Sequence, residues 1–210
     1  MTPQSPLYVK VCGLKTAESV AAAIGAGADA VGFVHAPGSP RHLEPAQIRP
    51  LLAAAAEAAG NTRVDTVLVV RSLISDDAAR LALDLGMSVL QLHGDYSKQD
   101  FGRAKAIFPR VWRATSLAAR PDLTVGAWGE KMLLLDAPKA GSGERWDLGT
   151  IVENQPKGPW LLAGGLTPDN VAEAIATAHP TGVDVSSGVE SAPGVKDLAK
   201  IREFVRNARG

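Results

Sequence analysis

The sequence has little of several features that mark particular classes of protein. It has one cysteine in 210 residues, so it forms no internal disulfide and lacks the thiolate set of a structural zinc site. Its 22 basic and 22 acidic residues balance, which removes the long-range attraction toward nucleic acid or an anionic membrane. No apolar run approaches the ~20 residues of a membrane-spanning helix, and the N-terminus lacks a secretory signal pattern. We therefore expect a soluble cytoplasmic protein without nucleic-acid or membrane partners.

What the chain does have is eight short apolar runs spread over its whole length. Apolar runs without polar alternation are typical of strands buried on both faces, as in parallel sheets. The runs are Tyr8–Val11, Ala30–Val34, Asp65–Val70, Val89–Leu92, Val111–Ala114, Met132–Leu135, Trp160–Ala163 and Val183–Val185.

Segments between these runs carry helix signals such as capping residues, a first-turn proline and an acidic first turn. They are Thr16–Ala26, Pro45–Ala59, Ser75–Leu85, Thr167–Ala178 and Lys196–Ala208, with weaker segments at Lys98–Ile107 and Asp122–Trp128 and a short helix at most at Leu148–Val152. Eight strands alternating with helices predict an α/β protein that forms one (β/α)8, or TIM, barrel over residues 1–210, with residues 1–6 as a loose extension. An open doubly wound sheet is the alternative, and the even spacing of eight strands favours closure.

Polar residues follow these strands where a barrel of this kind builds its active site, at the carboxyl ends. Cys12 ends the first strand as either a packing cysteine or a reactive thiol. Asp136 ends the sixth strand, where partial burial would raise its pKa and suit it to act as a general acid; a turn aspartate is the alternative. Arg41 could clamp a carboxylate or be a surface arginine. His93 could contact the substrate or be structural.

Glycine and serine residues follow the last strands. Gly164 and Gly165 come after the seventh strand, and Ser186, Ser187 and Gly188 come after the eighth. Backbone N–H groups at these two strand ends form the phosphate site of many such barrels. Gly141, Ser142 and Gly143 could add a third wall. One glycine pair alone is typical of a turn, but the combination predicts a phosphate site.

Strand parity also predicts a buried ion pair. Lys10 shares a face with Cys12, and Asp184 shares one with Ser186 on the neighbouring eighth strand. An unpaired buried charge is costly, so we expect Lys10 and Asp184 to pair inside the barrel.

Several segments together resemble phosphoribosylanthranilate isomerase of tryptophan biosynthesis. The resemblance runs from about residue 8 to the C-terminus, and its most specific segments are Lys10-Val11-Cys12-Gly13 and Val183-Asp184-Val185-Ser186-Ser187-Gly188-Val189-Glu190. The other matching segments are Val31-Gly32-Phe33-Val34, Ser39-Pro40-Arg41, Gln91-Leu92-His93-Gly94, Leu134-Leu135-Asp136 and Ala163-Gly164-Gly165-Leu166-Thr167-Pro168-Asp169-Asn170-Val171.

The resemblance implies a cofactor-free Amadori rearrangement of a phosphosugar. We expect no metal site, and the sequence leaves open whether the protein is a monomer or a homodimer. The resemblance makes Asp136 the general acid, Cys12 the general base and Arg41 the holder of the anthranilate carboxylate. The phosphate would lie against Gly141–Gly143, Gly165 and Ser186–Gly188. Such a base needs a lowered thiol pKa, and Lys10 or a Schiff-base cation could lower it.

The sequence departs from the family pattern at three places, namely His35, Arg71-Ser72 and Trp146-Asp147-Leu148. Two other functions are possible on this fold. The related isomerase of histidine biosynthesis uses an aspartate where this chain has Cys12, which argues against it. A non-catalytic phosphometabolite-binding barrel would need neither Cys12 nor Asp136. Residues Pro138–Gly143 are a candidate lid.

Overall fold

Eight parallel strands close into a barrel in a computed structural model of the chain, which describes residues 6–119, 121–136, 151 and 153–210. Each strand pairs with its neighbours in sequence order, and β1 closes the barrel against β8. The strands are β1 (Tyr8–Cys12), β2 (Ala30–His35), β3 (Asp65–Val70), β4 (Val89–His93), β5 (Val111–Ser116), β6 (Met132–Asp136), β7 (Trp160–Leu162) and β8 (Gly182–Val185). The predicted fold is confirmed, and all eight runs form strands.

Helices cover the outside of the barrel. In the described part of the chain they are α1 (Ala17–Gly25), α2 (Pro45–Ala59), α3 (Ser75–Leu85), α4 (Lys98–Ile107), α5 (Val171–Ala178) and α6 (Leu198–Arg209). Thr16, the first residue of the predicted segment, caps α1 in a reciprocal pair with Ser19. None of these helices has the length and apolar character needed to cross a membrane.

Three helix predictions need correction. Asp122–Trp128 forms turns, because Arg113 and Glu130 draw its backbone into side-chain hydrogen bonds at Asp122 O and Trp128 N. The helix after β7 begins at Val171 instead of Thr167, since the side chain of Asn170 bonds the Thr167 N–H in a turn. Lys196 precedes its helix as part of a strand. The predicted helix Leu148–Val152 lies, apart from Ile151, outside the described residues.

The core has two layers, which alternate along each strand. On β3, Val67 and Val69 point into the barrel, whereas Leu68 and Val70 point toward the helices. The inner layer is closed by large side chains such as Trp112 and Leu134, each 1% exposed. The barrel is therefore packed through its middle, and open space remains at its carboxyl end.

A small antiparallel hairpin follows the eighth strand. It consists of β9 (Glu190–Ala192) and β10 (Val195–Lys196), and a 3-10 turn at Ser187–Val189 connects it to the barrel. This hairpin was not predicted from the sequence. Its position brings Glu190 and Lys196 back to the carboxyl end of the barrel.

Candidate active site

A cavity of about 200 Å³ opens at the carboxyl ends of the strands. The predicted site residues that line it are Cys12, Arg41, His93, Asp136, Gly164, Gly165, Ser186 and Ser187. Gly188 directly follows this set, while Gly141, Ser142, Gly143 and the candidate lid Pro138–Gly143 lie outside the described residues. Residues from six different strand ends and loops therefore meet around one space.

Cys12 lies at the end of β1, with 6% of its surface exposed. Gly32 on β2 leaves room for it, because a Cβ added there would lie 2.8 Å from the sulfur. Burial raises the pKa of the thiol above its usual value, although Lys10 and Lys196 act in the opposite direction. Lys10 acts on this pKa in the expected direction, but burial outweighs the neighbouring charges and the net shift is upward.

Lys10 and Asp184 form the predicted ion pair, with the Lys10 ammonium 2.8 Å from Oδ1 of Asp184. Lys10 has no exposed surface, and β1 and β8 hold the two residues directly opposite each other. Burial opposes the charge on Lys10, but Asp184 and Cys12 together outweigh it and the pKa of Lys10 is raised. The pair lies directly beneath the cavity, and Asp184 forms part of the cavity wall.

Asp136 and His93 stand close together on another part of the wall. Nε2 of His93 lies 3.7 Å from Oδ2 of Asp136. Burial, helped by the positive charges of Arg71 and Lys10, lowers the pKa of His93 to about 4. The imidazole is therefore neutral near pH 7 and can act as a hydrogen-bonding partner, without a charge, beside Asp136. The raised pKa expected for Asp136 itself stays a prediction.

Arg41 reaches the cavity from the loop after β2. Its Nε and Nη2 donate to the two carboxylate oxygens of Glu190, at 2.7 and 2.8 Å. Glu190 thus occupies one edge of the guanidinium, and the Nη1–Nη2 edge is the one with which Arg41 could bind a ligand carboxylate end-on. The neighbouring Lys196 donates to the same Glu190 carboxylate at 2.9 Å.

The loops after β7 and β8 lie side by side. Gly164 and Gly165 have φ angles of 80° and 66°, a conformation that glycine adopts without strain. Asn170 fixes this turn by donating from Nδ2 to the Gly165 carbonyl. Ser186 is held by its own hydroxyl, which donates to the Cys12 carbonyl at 3.2 Å. A Cβ on Gly188 would overlap the Leu166 carbonyl at 1.8 Å, so the two loops are in direct contact.

Several residues of this site received no role from the sequence. Glu190 and Lys196 come from the unpredicted hairpin. Arg71 lines the cavity at one of the departures from the family pattern. Gln91 is 1% exposed and lines the cavity, and its Oε1 has no hydrogen-bond partner among the described residues. Strand parity with His93 could have identified Gln91, because both point into the barrel.

A cluster of His35, His42 and Glu44 lies on the loop that carries Arg41, with ligand atoms within 4.8 Å of one another. Nδ1 of His35 donates to the Leu43 carbonyl, and Nδ1 of His42 accepts from the Ala36 N–H. That second bond leaves the proton of neutral His42 on Nε2, which faces Glu44 at 3.0 Å. These hydrogen bonds stabilise the loop and account for the clustering of the three side chains.

The fold and the cavity define the class of the protein, a (β/α)8-barrel enzyme with its site at the carboxyl ends of the strands. The family model for N-(5'-phosphoribosyl)anthranilate (PRA) isomerase matches residues 9–207. A curated N-(5'-phosphoribosyl)anthranilate isomerase of Geotalea uraniireducens (strain Rf4) is 43% identical over 96% of this chain and 98% of the relative. The chain therefore belongs to the PRA isomerase family.

Solved structures give the same result. TrpF from Jonesia denitrificans has 60% sequence identity and a TM-score of 0.89, with 97% of each chain covered. A phosphoribosyl anthranilate isomerase in complex with reduced 1-(o-carboxyphenylamino)-1-deoxyribulose 5-phosphate has 30% identity and a TM-score of 0.83, with 97% of this chain and 99% of that chain covered.

Proposed function

We propose that the protein converts N-(5-phosphoribosyl)anthranilate to 1-(2-carboxyphenylamino)-1-deoxyribulose 5-phosphate by an Amadori rearrangement. Membership of the PRA isomerase family supports this reaction. The observation that carries the residue assignment is the arrangement of Cys12, Asp136, Arg41 and two glycine–serine loops around one cavity. A cytoplasmic location and a monomeric or homodimeric state stay predictions.

The two ends of the substrate carry different anions, and the cavity offers a separate site for each. The phosphate would bind backbone N–H groups at Gly164–Gly165 and Ser186–Gly188. The anthranilate carboxylate would bind the end-on edge of Arg41, because Glu190 already occupies the other edge. Arg41 held in this way is pre-organised, which reduces the entropy lost on binding.

Asp136 would act first. As general acid it transfers a proton to the ribose ring oxygen, and the C1–O bond breaks to give a protonated Schiff base between C1 and the anilino nitrogen. His93 is neutral near pH 7, and its Nε2 lies 3.7 Å from Oδ2 of Asp136. It would help to orient the carboxyl group of Asp136.

Cys12 would act second, as the general base that removes the C2 proton. Its pKa is raised by burial, so the thiolate needs an additional positive charge nearby. The Schiff base supplies that charge once Asp136 has delivered its proton. Loss of the C2 proton gives an enolamine, which tautomerises to the ketone, so that the product is an isomer of the substrate.

Turnover of phosphoribosylanthranilate, generated in situ and followed by its fluorescence, tests this function. We expect the folded wild-type protein to remove the substrate catalytically. A folded protein that binds reduced 1-(o-carboxyphenylamino)-1-deoxyribulose 5-phosphate without turning over the substrate would overturn the proposal in favour of a binding role. Turnover of the corresponding histidine-pathway phosphosugar alone would overturn it in favour of the related isomerase.

A further inference from the structure

We propose that Lys196 is a positioning residue of this site, whose ammonium connects the loop after β8 to Glu190 and thereby sets the surroundings of Arg41 and Cys12. The inference deepens the proposed function and rests on it for the roles of those two residues. Lys196 belongs to β10, outside the barrel.

The side chain of Lys196 is held in place by contacts with both Ser186 and Glu190. Its side chain is 3% exposed, and Nζ donates to the Ser186 carbonyl at 2.7 Å and to Oε1 of Glu190 at 2.9 Å. Oγ of Ser186 lies 3.4 Å away and is a third acceptor. A lysine held by three acceptors with its charge out of water is a specific arrangement, because surface lysines keep the ammonium solvated.

Glu190 transmits this contact to Arg41. Its Oε1 accepts from both Lys196 and Nε of Arg41, and its Oε2 accepts from Nη2 of Arg41 and from the Gly194 N–H. Burial opposes the charge on Glu190, but Arg41 and Lys196 outweigh it and the pKa is lowered. Removing Lys196 would leave Glu190 with one cation and would free the Ser186 carbonyl.

The charges near Cys12 do not cancel. Lys10 from β1, Arg41 from the loop after β2 and Lys196 from β10 are cations, whereas Asp184 from β8 and Glu190 from β9 are anions. Lys10 pairs with Asp184, and Arg41 pairs with Glu190 through two hydrogen bonds. Lys196 therefore supplies the excess positive charge next to Cys12, which a Cys12 thiolate would neutralise. Arg71 and Asp136 also line the cavity, together with the neutral His93.

The hairpin does not depend on Lys196 alone. Nζ of Lys200 donates to the Glu190 carbonyl at 3.0 Å, and the Asp197 N–H donates to the Val189 carbonyl at 2.9 Å. Lys200 is thus a matched control, because it is a nearby lysine whose ammonium contacts only the backbone of the same hairpin.

The test uses the single cysteine of the chain, since every alkylation by iodoacetamide reports on Cys12. We expect Lys196→Met to raise the apparent pKa of alkylation by about one unit, which means roughly tenfold slower alkylation near neutral pH. Lys196→Gln should give the same shift, because it keeps a hydrogen-bond donor and removes the charge. Lys196→Arg keeps the charge and should retain the wild-type pH profile of alkylation. Lys200→Met should also leave that profile unchanged.

The same variants are assayed for turnover. We expect kcat/KM to fall about tenfold in Lys196→Met, with a rise in KM because Arg41 is less well held. Circular dichroism identifies variants that fold. Folded Lys196→Met and Lys196→Gln proteins with wild-type alkylation profiles would overturn the inference. Alkylation does not require turnover, so an inactive wild-type protein would refute the proposed reaction and leave this test in force.

Discussion

The two ends of the barrel each place a carboxylate among hydrogen-bond donors, and they differ in charge balance. At the amino end, Asp65 accepts from both Nη atoms of Arg110 at 2.6 Å and from the Tyr8 hydroxyl at 2.6 Å. One carboxylate there meets one guanidinium and one neutral phenol. At the carboxyl end, Glu190 meets two cations, Arg41 and Lys196.

This difference in charge balance distinguishes a cluster that contributes to stability, at the amino end, from one that contributes to chemistry, at the carboxyl end. Burial and the hydrogen bond to Asp65 raise the pKa of Tyr8, so the phenol stays neutral and the cluster at the amino end is complete without a ligand. The cluster at the carboxyl end retains positive charge, faces the cavity and adjoins the thiol. A positive charge that only a substrate anion or a thiolate neutralises is typical of a reactive site.

The largest effect should come from Cys12 and Asp136, the proposed base and acid. We expect Cys12→Ala and Asp136→Asn each to lower kcat by about 10²–10⁴-fold, because a positioned acid or base contributes that much. Steady-state turnover measures this loss, and thermal denaturation of the same samples should show folded proteins. Near-wild-type turnover in either variant would remove the role given to that residue.

The buried pair between the two ends should show the next largest effect. Lys10→Met leaves the Asp184 carboxylate buried without its partner, and we expect it to lower the free energy of unfolding by about 3–5 kcal/mol. Urea denaturation measures the loss. The double variant Lys10→Met/Asp184→Leu should recover most of it, since both charges are removed; a double variant as unstable as the single one would contradict this explanation.

The cluster at the amino end should affect stability alone. Asp65→Asn loses the charge on which Arg110 and Tyr8 converge, and we expect the free energy of unfolding to fall by about 1.5–3 kcal/mol. We expect kcat/KM to be unchanged, because Asp65 lies at the opposite end from the cavity. A tenfold loss of kcat/KM in the folded variant would show that the two ends are coupled.

The loss of stability in Asp65→Asn should depend on pH in a defined direction. Burial opposes ionisation of Asp65, but hydrogen bonds from Arg110 and Tyr8 outweigh it, and its pKa lies below the usual value of 3.8. The contribution to stability is therefore present above pH 3.8 and is lost as the pH falls through the lower native pKa. The difference between wild type and Asp65→Asn in urea denaturation should shrink from pH 7 to pH 2.5; a constant difference would contradict the assignment.

The smallest effect should come from the wall of the cavity. Oε1 of Gln91 is buried without a hydrogen-bond partner among the described residues, which costs stability. We expect Gln91→Met, which has a similar shape, to raise the free energy of unfolding by about 1 kcal/mol. A decrease in urea denaturation would show that the amide is satisfied in solution.

The strands and the positions of Cys12 and Asp136 were accessible from the sequence for a physical reason. Parallel strands are buried on both faces, so they appear as apolar runs, and the polar residue that ends each run must lie at one edge of the sheet. Cys12, His93 and Asp136 were found in this way. Parity along β1 and β8 also predicted the pair of Lys10 and Asp184.

The hairpin and its contacts were not accessible, because they depend on interactions between distant residues. The two strands of the hairpin, Glu190–Ala192 and Val195–Lys196, are too short to show an alternating pattern, and Pro193-Gly194 indicates a turn without specifying which residues pair. Arg41 and Glu190 are 149 residues apart in sequence, and no local signal indicates that they meet. The turns at Asp122–Trp128 were mistaken for a helix because the buried Arg113–Glu130 pair, 2.8 Å apart, overrides local propensity there.

The most direct test of the site is a crystal structure of the wild-type protein with reduced 1-(o-carboxyphenylamino)-1-deoxyribulose 5-phosphate. The phosphate should lie against Gly164–Gly165 and Ser186–Gly188, and the carboxylate should contact the end-on edge of Arg41. The carbon equivalent to C2 should face the sulfur of Cys12, with Asp136 on the side of the former ring oxygen. A ligand bound in the opposite direction, with its phosphate on Arg41, would contradict the assignment of acid and base.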